Sequence, residues 1–308
     1  MLDPDIARLL ERQHGARPSE ELGIAELRAA MAPVPVSRRR PVASVEDRRL
    51  PGGLPVRFYR PLDRRRRQLI VYFHGGGFVS GSVETHDQLC RDLCSAGGCT
   101  VMSADYRLAP EHKFPAAIDD ALAATRWALA HAETVDAAAD EIVVAGDSAG
   151  ATLAIVTAIR LRDAGGPQVA GQLLAYPVAA YHTPATRSYL DCATGYGLTR
   201  AAMIRFWGEY LPDPSMAAHP HAAPLNSSSL GDLPPTLIVT AEFDPLRDEG
   251  QALAAALARQ GNAVDSSDEP GLIHGFLRTA PDIAPTRRVF ARMGEWLQRL
   301  PSRRSTLP

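Results

Sequence analysis

The stretch "IVVAGDSAGATLA", residues 142–154, decides how the chain folds. Its first four residues, Ile142 to Ala145, read as a buried strand, and the run from Ala149 reads as a helix. Between them stands Gly146-Asp147-Ser148-Ala149-Gly150, a G-x-S-x-G pattern. In the context strand–turn–helix this is a nucleophile elbow: a sharp turn holds the serine in a strained backbone, its hydroxyl exposed at the carboxyl edge of a sheet. Gly146 and Gly150 are small because strand and helix approach closely on both sides. The plainer reading is a serine that caps a helix; the strand–turn–helix context favours the elbow.

Working outward, the same rhythm repeats. Leu69–Phe73, Thr100–Ala104, Ile142–Ala145, Gln172–Tyr176 and Thr236–Thr240 are strand candidates. Most are continuously apolar rather than alternating, as strands of a parallel sheet covered on both faces should be. Helical patterns fall between them. Pro115 opens one, with Ile118, Leu122 and Leu129 on one face. Ala149 to Ala164 forms another, stopped by Gly165 and Gly166. "DEGQALAAALARQG" and "TRRVFARMGEWLQRL" are two more. Strands alternating with helices imply right-handed crossovers and an α/β fold with a mostly parallel sheet. Two segments stand apart. Residues 1–45 carry two short amphipathic helices and a proline-broken stretch, "APVPVSRRRP". Residues 182–215 hold no good strand but an aromatic-rich helix, "RAAMIRFWGEYL".

A serine hydroxyl needs a base. In sheet-edge hydrolases the order along the chain is serine, acid, histidine. His274, in "PGLIHGFL", follows the last predicted strand and precedes the final helix, with Gly271 and Gly275 allowing a tight loop. His219 and His221 come too early and read as surface loop. The acid should follow strand Thr236–Thr240, which points to Asp244; Asp248 is the runner-up and Glu242 a weaker candidate. Its task is to hold the imidazole tautomer and stabilise the imidazolium.

The second informative stretch is "LIVYFHGGGFVSG", residues 69–81. Three glycines after a strand can cradle a phosphate, but no GK[ST] or GxGxxG spacing accompanies them. An acyl-transfer site instead needs backbone N–H groups aimed at a tetrahedral oxygen. Gly76 and Gly77 would supply two and Ala149 a third, with the helix dipole behind it. A side chain on those glycines would block the acyl group. Phe78 on the glycine loop and Phe206, Trp207 and Tyr210 on the inserted helix are candidates for binding substrate. Met203 completes the helical stripe, which reads equally well as packing.

Taken in order, "HGGGF", "DYRLAPEHKFPAA", "GDSAG", "DPLRDEG" and "HGF" resemble the bacterial branch of the hormone-sensitive-lipase family (family IV) of α/β-hydrolases. The likeness runs from about residue 45 to 300. It implies an α/β-hydrolase core over 46–181 and 216–308, with 1–45 and 182–215 as a helical cap. It also implies the triad Ser148, Asp244 and His274, oxyanion donors Gly76, Gly77 and Ala149, and supporting roles for His74 and Tyr106-Arg107. Ala151 and Thr152 depart from the family's usual Gly-Asn, which implies altered packing rather than lost chemistry. The function so implied is a serine carboxylesterase for short- to medium-chain esters, working through an acyl-enzyme without cofactor or metal. A receptor on the same fold, a long-chain lipase, or a hydrolase of lactones or amides are the competing readings.

Composition narrows the partners. The 308 residues are 45% hydrophobic and 22% charged, ordinary globular material. A formal net charge of −2 gives no case for nucleic acid or an anionic membrane. The arginine runs 38–40 and 64–67 read as solvated loops. No apolar run approaches the roughly 20 residues of a membrane span, and the N-terminus does not read as a secretory signal. Cys90, Cys94, Cys99 and Cys192 read as buried free thiols. The expectation is a soluble cytoplasmic enzyme whose partner is a small ester; a homodimer is left open.

Overall fold

The computed structural model describes residues 1–33 and 39–301. The middle of the proline-broken stretch and the first arginine of the 38–40 run lie outside the described residues. In chain order the strands are β1 (Ser44–Arg49), β2 (Pro55–Arg60), β3 (Leu69–Phe73), β4 (Thr100–Ala104), β5 (Ile142–Asp147), β6 (Gly171–Ala175), β7 (Thr236–Phe243) and β8 (Val264–Ile273). The helices are α1 (Pro4–Arg12), α2 (Ile24–Ala30), α3 (Asp87–Gly97), α4 (Ala116–His131) and α5 (Ala149–Asp163), followed by α6 (Arg187–Asp191), α7 (Arg200–Tyr210), α8 (Arg247–Arg259), α9 (Phe276–Thr279) and α10 (Ala284–Arg299).

All eight strands join one sheet in the order β1-β2-β4-β3-β5-β6-β7-β8. Only β2 runs against its neighbours β1 and β4; the pairings from β4 through β8 are parallel. Residues of β3 and β5 alternate between two cores. Leu69, Val71, Phe73, Ile142 and Val144 join the core beneath α4 and α5, while Ile70, Tyr72, Val143 and Ala145 join the core beneath α3 and α10. Burial on both faces explains why these strands carry no polar alternation.

The chain leaves β3 toward β4 on one side and returns to β5 on the other. The loops that follow β3 and β5 therefore diverge and leave a crevice at the carboxyl edge, where open α/β sheets place their ligands. The glycine loop follows β3 and Ser148 follows β5.

Three strands absent from the sequence reading are β1, β2 and β8. β1 is exposed along nearly its whole length, and β8 carries charged residues and Pro270 at the sheet's edge. Edge strands tolerate both features. The described arginines of the two runs lie in loops, with Arg39, Arg40, Arg64 and Arg65 exposed, and several are also ion-paired: Arg40 with Asp92 at 2.8 Å, Arg67 with Glu133 at 2.6 Å and Arg66 with Glu141 at 3.3 Å. All four cysteines are buried and unpaired, and burial pushes the Cys94 thiol up to about 12. Among the described residues, no helix is long and apolar enough to cross a membrane.

Candidate active site

Ser148 sits at φ 55°, ψ −122°, between the end of β5 and the start of α5. A non-glycine residue rarely adopts such a backbone. Its N–H donates to the Ala175 carbonyl at 2.8 Å, which fixes the turn against β6. The flanking glycines are required by contact. A Cβ on Gly150 would run into the Phe73 carbonyl, and one on Gly146 into the Gly150 backbone.

His274 follows β8. Its Nε2 lies 2.9 Å from Ser148 Oγ, and its Nδ1 lies 2.7 Å from Asp244 Oδ2. With Nδ1–H donating to the carboxylate, Nε2 is free to accept the serine proton. Asp244 is fully buried just past β7, and its other oxygen accepts from the Leu246 N–H at 2.8 Å. A register irregularity at Ala241–Phe243 precedes it; such irregularities re-aim the residues that follow. The two rejected acids are committed elsewhere. Asp248 lies in the first turn of α8 and accepts from the Ser188 N–H at 2.8 Å, and Glu242 accepts from the Gly271 N–H at 2.7 Å. His219 packs against Phe114 and His221, and both histidines line a different pocket.

The glycine loop lies across from Ser148. Gly76 and Gly77 have φ of 123° and 64°, and their amides, like that of Ala149, have no acceptor among the described residues. Why glycine is needed here differs from the expectation that side chains would block the acyl group. A Cβ on Gly75 would stand 2.6 Å from Asp147 Oδ2, one on Gly76 would strike the Ser80 carbonyl, and one on Gly77 would stand 2.5 Å from the Phe206 ring. The protein itself fills the space. Tyr106 holds the loop from behind, its hydroxyl donating to the His74 carbonyl at 2.7 Å and its ring stacked 4.3 Å from the His74 imidazole. Arg107 instead clamps Asp120 on α4.

Beneath the nucleophile lies a buried network that sequence reasoning missed. Asp147 Oδ1 accepts from Tyr72 at 2.5 Å and from the Gly75 N–H at 2.8 Å, with His86 Nε2 at 3.5 Å. Burial alone would raise its pKa, but His86, Tyr72 and the Gly75 amide outweigh burial and hold it at about 2. Desolvation, with His86 beside it, pushes buried His74 down to about 3, so it is neutral. Asp147 was visible inside the pentapeptide; nothing in its spacing announced the partnership with His86. Thr152, where the family pattern differs, donates to the Val178 carbonyl at 2.7 Å and is satisfied.

A cavity of about 340 Å³ opens onto Ser148 and His274. Gly76, Gly77, Met203 and Phe206 are part of its wall. Phe78, Trp207 and Tyr210 are not: Phe78 stacks on Tyr210 at 3.9 Å, and Trp207 packs against Tyr181 and Tyr210. The sequence reading also missed the contribution of α2 and its flanks, which bring Leu22, Leu27 and Met31 to the same cavity. The segments before β1 and between β6 and β7 meet above the site, where Arg205 donates to the Ser19 carbonyl and Thr199 to Glu20.

A family model described as alpha/beta hydrolase fold matches residues 70–278. The chain is 44% identical over 232 residues to the carboxylic ester hydrolase LipN of Mycobacterium tuberculosis, covering 73% of this chain but only 61% of that protein's length. It is 38% identical over 283 residues to the esterase LipI of the same organism, covering 90% of this chain and 88% of that one. Among solved structures, a hyperthermophilic esterase from the archaeon Pyrobaculum calidifontis superposes with a TM-score of 0.89 at 37% identity, covering 96% of this chain and 98% of that one.

Proposed function

The chain belongs to the hormone-sensitive-lipase family of α/β-hydrolases, and from that premise we propose that it is a serine carboxylesterase acting on short- to medium-chain esters through an acyl-enzyme. The observation that carries this reading is the unbroken chain from Ser148 Oγ through His274 to Asp244, at 2.9 and 2.7 Å. As the ester carbonyl arrives, His274 Nε2 takes the hydroxyl proton and Oγ attacks the carbonyl carbon. The oxygen gains negative charge within reach of the Gly76, Gly77 and Ala149 amides, whose freedom from other acceptors leaves them available to it. Collapse expels the alcohol, which leaves with the proton from His274. Water then repeats the sequence on the acyl-enzyme and releases the acid. Asp244 holds the tautomer and stabilises the imidazolium throughout.

The division into a core, 46–181 with 216–308, and a cap, 1–45 with 182–215, is part of the same reading. It is supported by the contacts between the two cap segments above the cavity. A small ester suits the cavity's size, since ligand pockets start near about 300 Å³. No observation favours the receptor reading.

The test is a series of nitrophenyl esters from two to sixteen carbons, hydrolysed by wild type and by Ser148→Ala. Turnover should peak at short to medium chains. The alanine variant should lose about a millionfold while its melting temperature stays close to wild type. An alanine variant that kept a tenth of the activity would remove Ser148 from the mechanism.

A further inference from the structure

One charged group in the cavity is used by nothing described so far. Arg278 lies on α9, four residues after His274, and its half-buried side chain lines the same cavity as Ser148. Among the described residues that side chain makes no ion pair and no hydrogen bond; only the backbone N–H is engaged, by the Gly275 carbonyl. The other guanidinium of the wall, Arg17, is occupied: it pairs with Glu26 at 3.1 Å and donates to the Glu21 carbonyl at 2.8 Å. Asp147, the carboxylate of the wall, is met by Tyr72, the Gly75 amide and His86.

Burial works against the Arg278 charge, and the Asp147 carboxylate beneath the nucleophile works for it. Its part-buried side chain forms part of the cavity wall. A guanidinium carries five donors in a rigid fork suited to a carboxylate. No Arg278 nitrogen is sealed away without a partner, so a carboxylate in the cavity can reach those donors and make charge-assisted bonds to them. Leu22, Leu27, Met31, Met203 and Phe206 give the same cavity an apolar part of its lining.

We infer that Arg278 is a specificity-determining residue, and that the preferred substrates are esters with one apolar arm and one arm ending in a carboxylate. The inference rests on the esterase reading and deepens it by naming the substrate class. The ester carbonyl sits at Ser148, the apolar arm lies along α2 and α7, and the carboxylate meets Arg278. Hydrolysis is unchanged in its chemistry; Arg278 selects the substrate and takes no part in proton transfer.

The test uses two pairs of isosteric esters. In each pair one member ends in a carboxylate and the other in an isopropyl group: monoethyl glutarate and its neutral counterpart, then acetoxybutanoate and its neutral counterpart. The pairs place the charge on the acyl and the alcohol arm in turn. The measured quantity is the ratio of kcat/KM, acid-ended over neutral, in wild type, Arg278→Gln and Arg278→Lys. For at least one pair the glutamine variant should lower that ratio about tenfold or more, mainly through KM. The lysine variant, which keeps charge without the fork, should fall between. Added salt should lower the ratio in wild type. A ratio unchanged in both variants, or wild-type turnover of the neutral esters alone, overturns the inference and leaves the esterase standing. No turnover of any of the four esters by wild type overturns the esterase reading itself.

Discussion

Two aspartates four positions apart show what the residue scale decides. Asp244 and Asp248 are the same chemical group on the same stretch, and residue type does not separate them. The turn does. Asp244 precedes α8 and reaches His274, whereas Asp248 lies within the helix and accepts from the Ser188 amide. Asp244→Asn should therefore keep the fold and lower kcat by about four orders of magnitude, through loss of the correct tautomer. Asp248→Asn keeps an acceptor oxygen for Ser188 and should cost less than about tenfold. Assaying both on one short nitrophenyl ester checks the order, and its reversal would move the acid to Asp248. The nucleophile and the acid's neighbourhood were legible because each sits at a turn after a predicted strand, and the base because it follows both in the chain order serine, acid, histidine. The network of Asp147, Tyr72 and His86 was not, because it forms between residues from three separate elements, and no local pattern encodes that meeting.

At the scale of elements, α7 separates two roles that one stripe of sequence mixes. Met203, Phe206, Trp207 and Tyr210 are spaced alike and all are buried. Only Met203 and Phe206 reach the cavity, because Phe206 lies over Gly77 while Trp207 and Tyr210 turn toward other rings. Phe206→Ala should shift preference toward longer acyl chains, a several-fold change in the ratio of kcat/KM for eight- over four-carbon esters. Trp207→Ala should lower the melting temperature and leave that ratio alone. Gly77→Ala should damage both activity and stability, since its Cβ meets the Phe206 ring at a φ of 64°. Adding Phe206→Ala removes the clash but not the backbone penalty of about 1–2 kcal/mol, so rescue of the melting temperature should be partial. Periodicity also explains which strands were legible. Those buried on both faces announce themselves as apolar runs; β1 and β8, at the sheet's edges, are polar enough to pass for loop.

For the whole molecule, pH acts through the groups buried beneath the site. His74 has a pKa of about 3 in the fold against an ordinary 6.5, so folding requires it neutral. Its contribution is complete above about pH 6.5 and is lost as pH falls from there toward 3, by up to about 1.4 kcal/mol per unit. Burial lowers the pKa of His182 and His221 too, which adds loss of the same sign. Asp147, held at about 2 against 3.8, acts later: its contribution is present above about 3.8 and disappears between there and 2. Buried Glu249, raised well above its ordinary 4.5, acts with the opposite sign, so His74 is read as a difference: the urea midpoint of His74→Asn relative to wild type should rise as pH falls from about 6.5 to about 4.5, and a constant difference would contradict a neutral buried His74. The α/β architecture was legible at this scale from alternation alone, whereas the share of the N-terminal segment in the cavity was not.

That share has a consequence in time. The backbone N–H of Asp3 donates to the Gly271 carbonyl, and the residues flanking α2 reach across to the cavity around Ser148. These contacts join the two ends of the chain, and closing so large a loop is entropically slow relative to pairing β3 with β4 or β5. The cavity wall is thus among the last parts to assemble. In a Trp207→Phe variant, whose remaining tryptophans lie on α4 and α10, fluorescence should recover during refolding before Ser148 regains its rate of labelling by an organophosphate, and the lag measures how long the sheet waits for its roof.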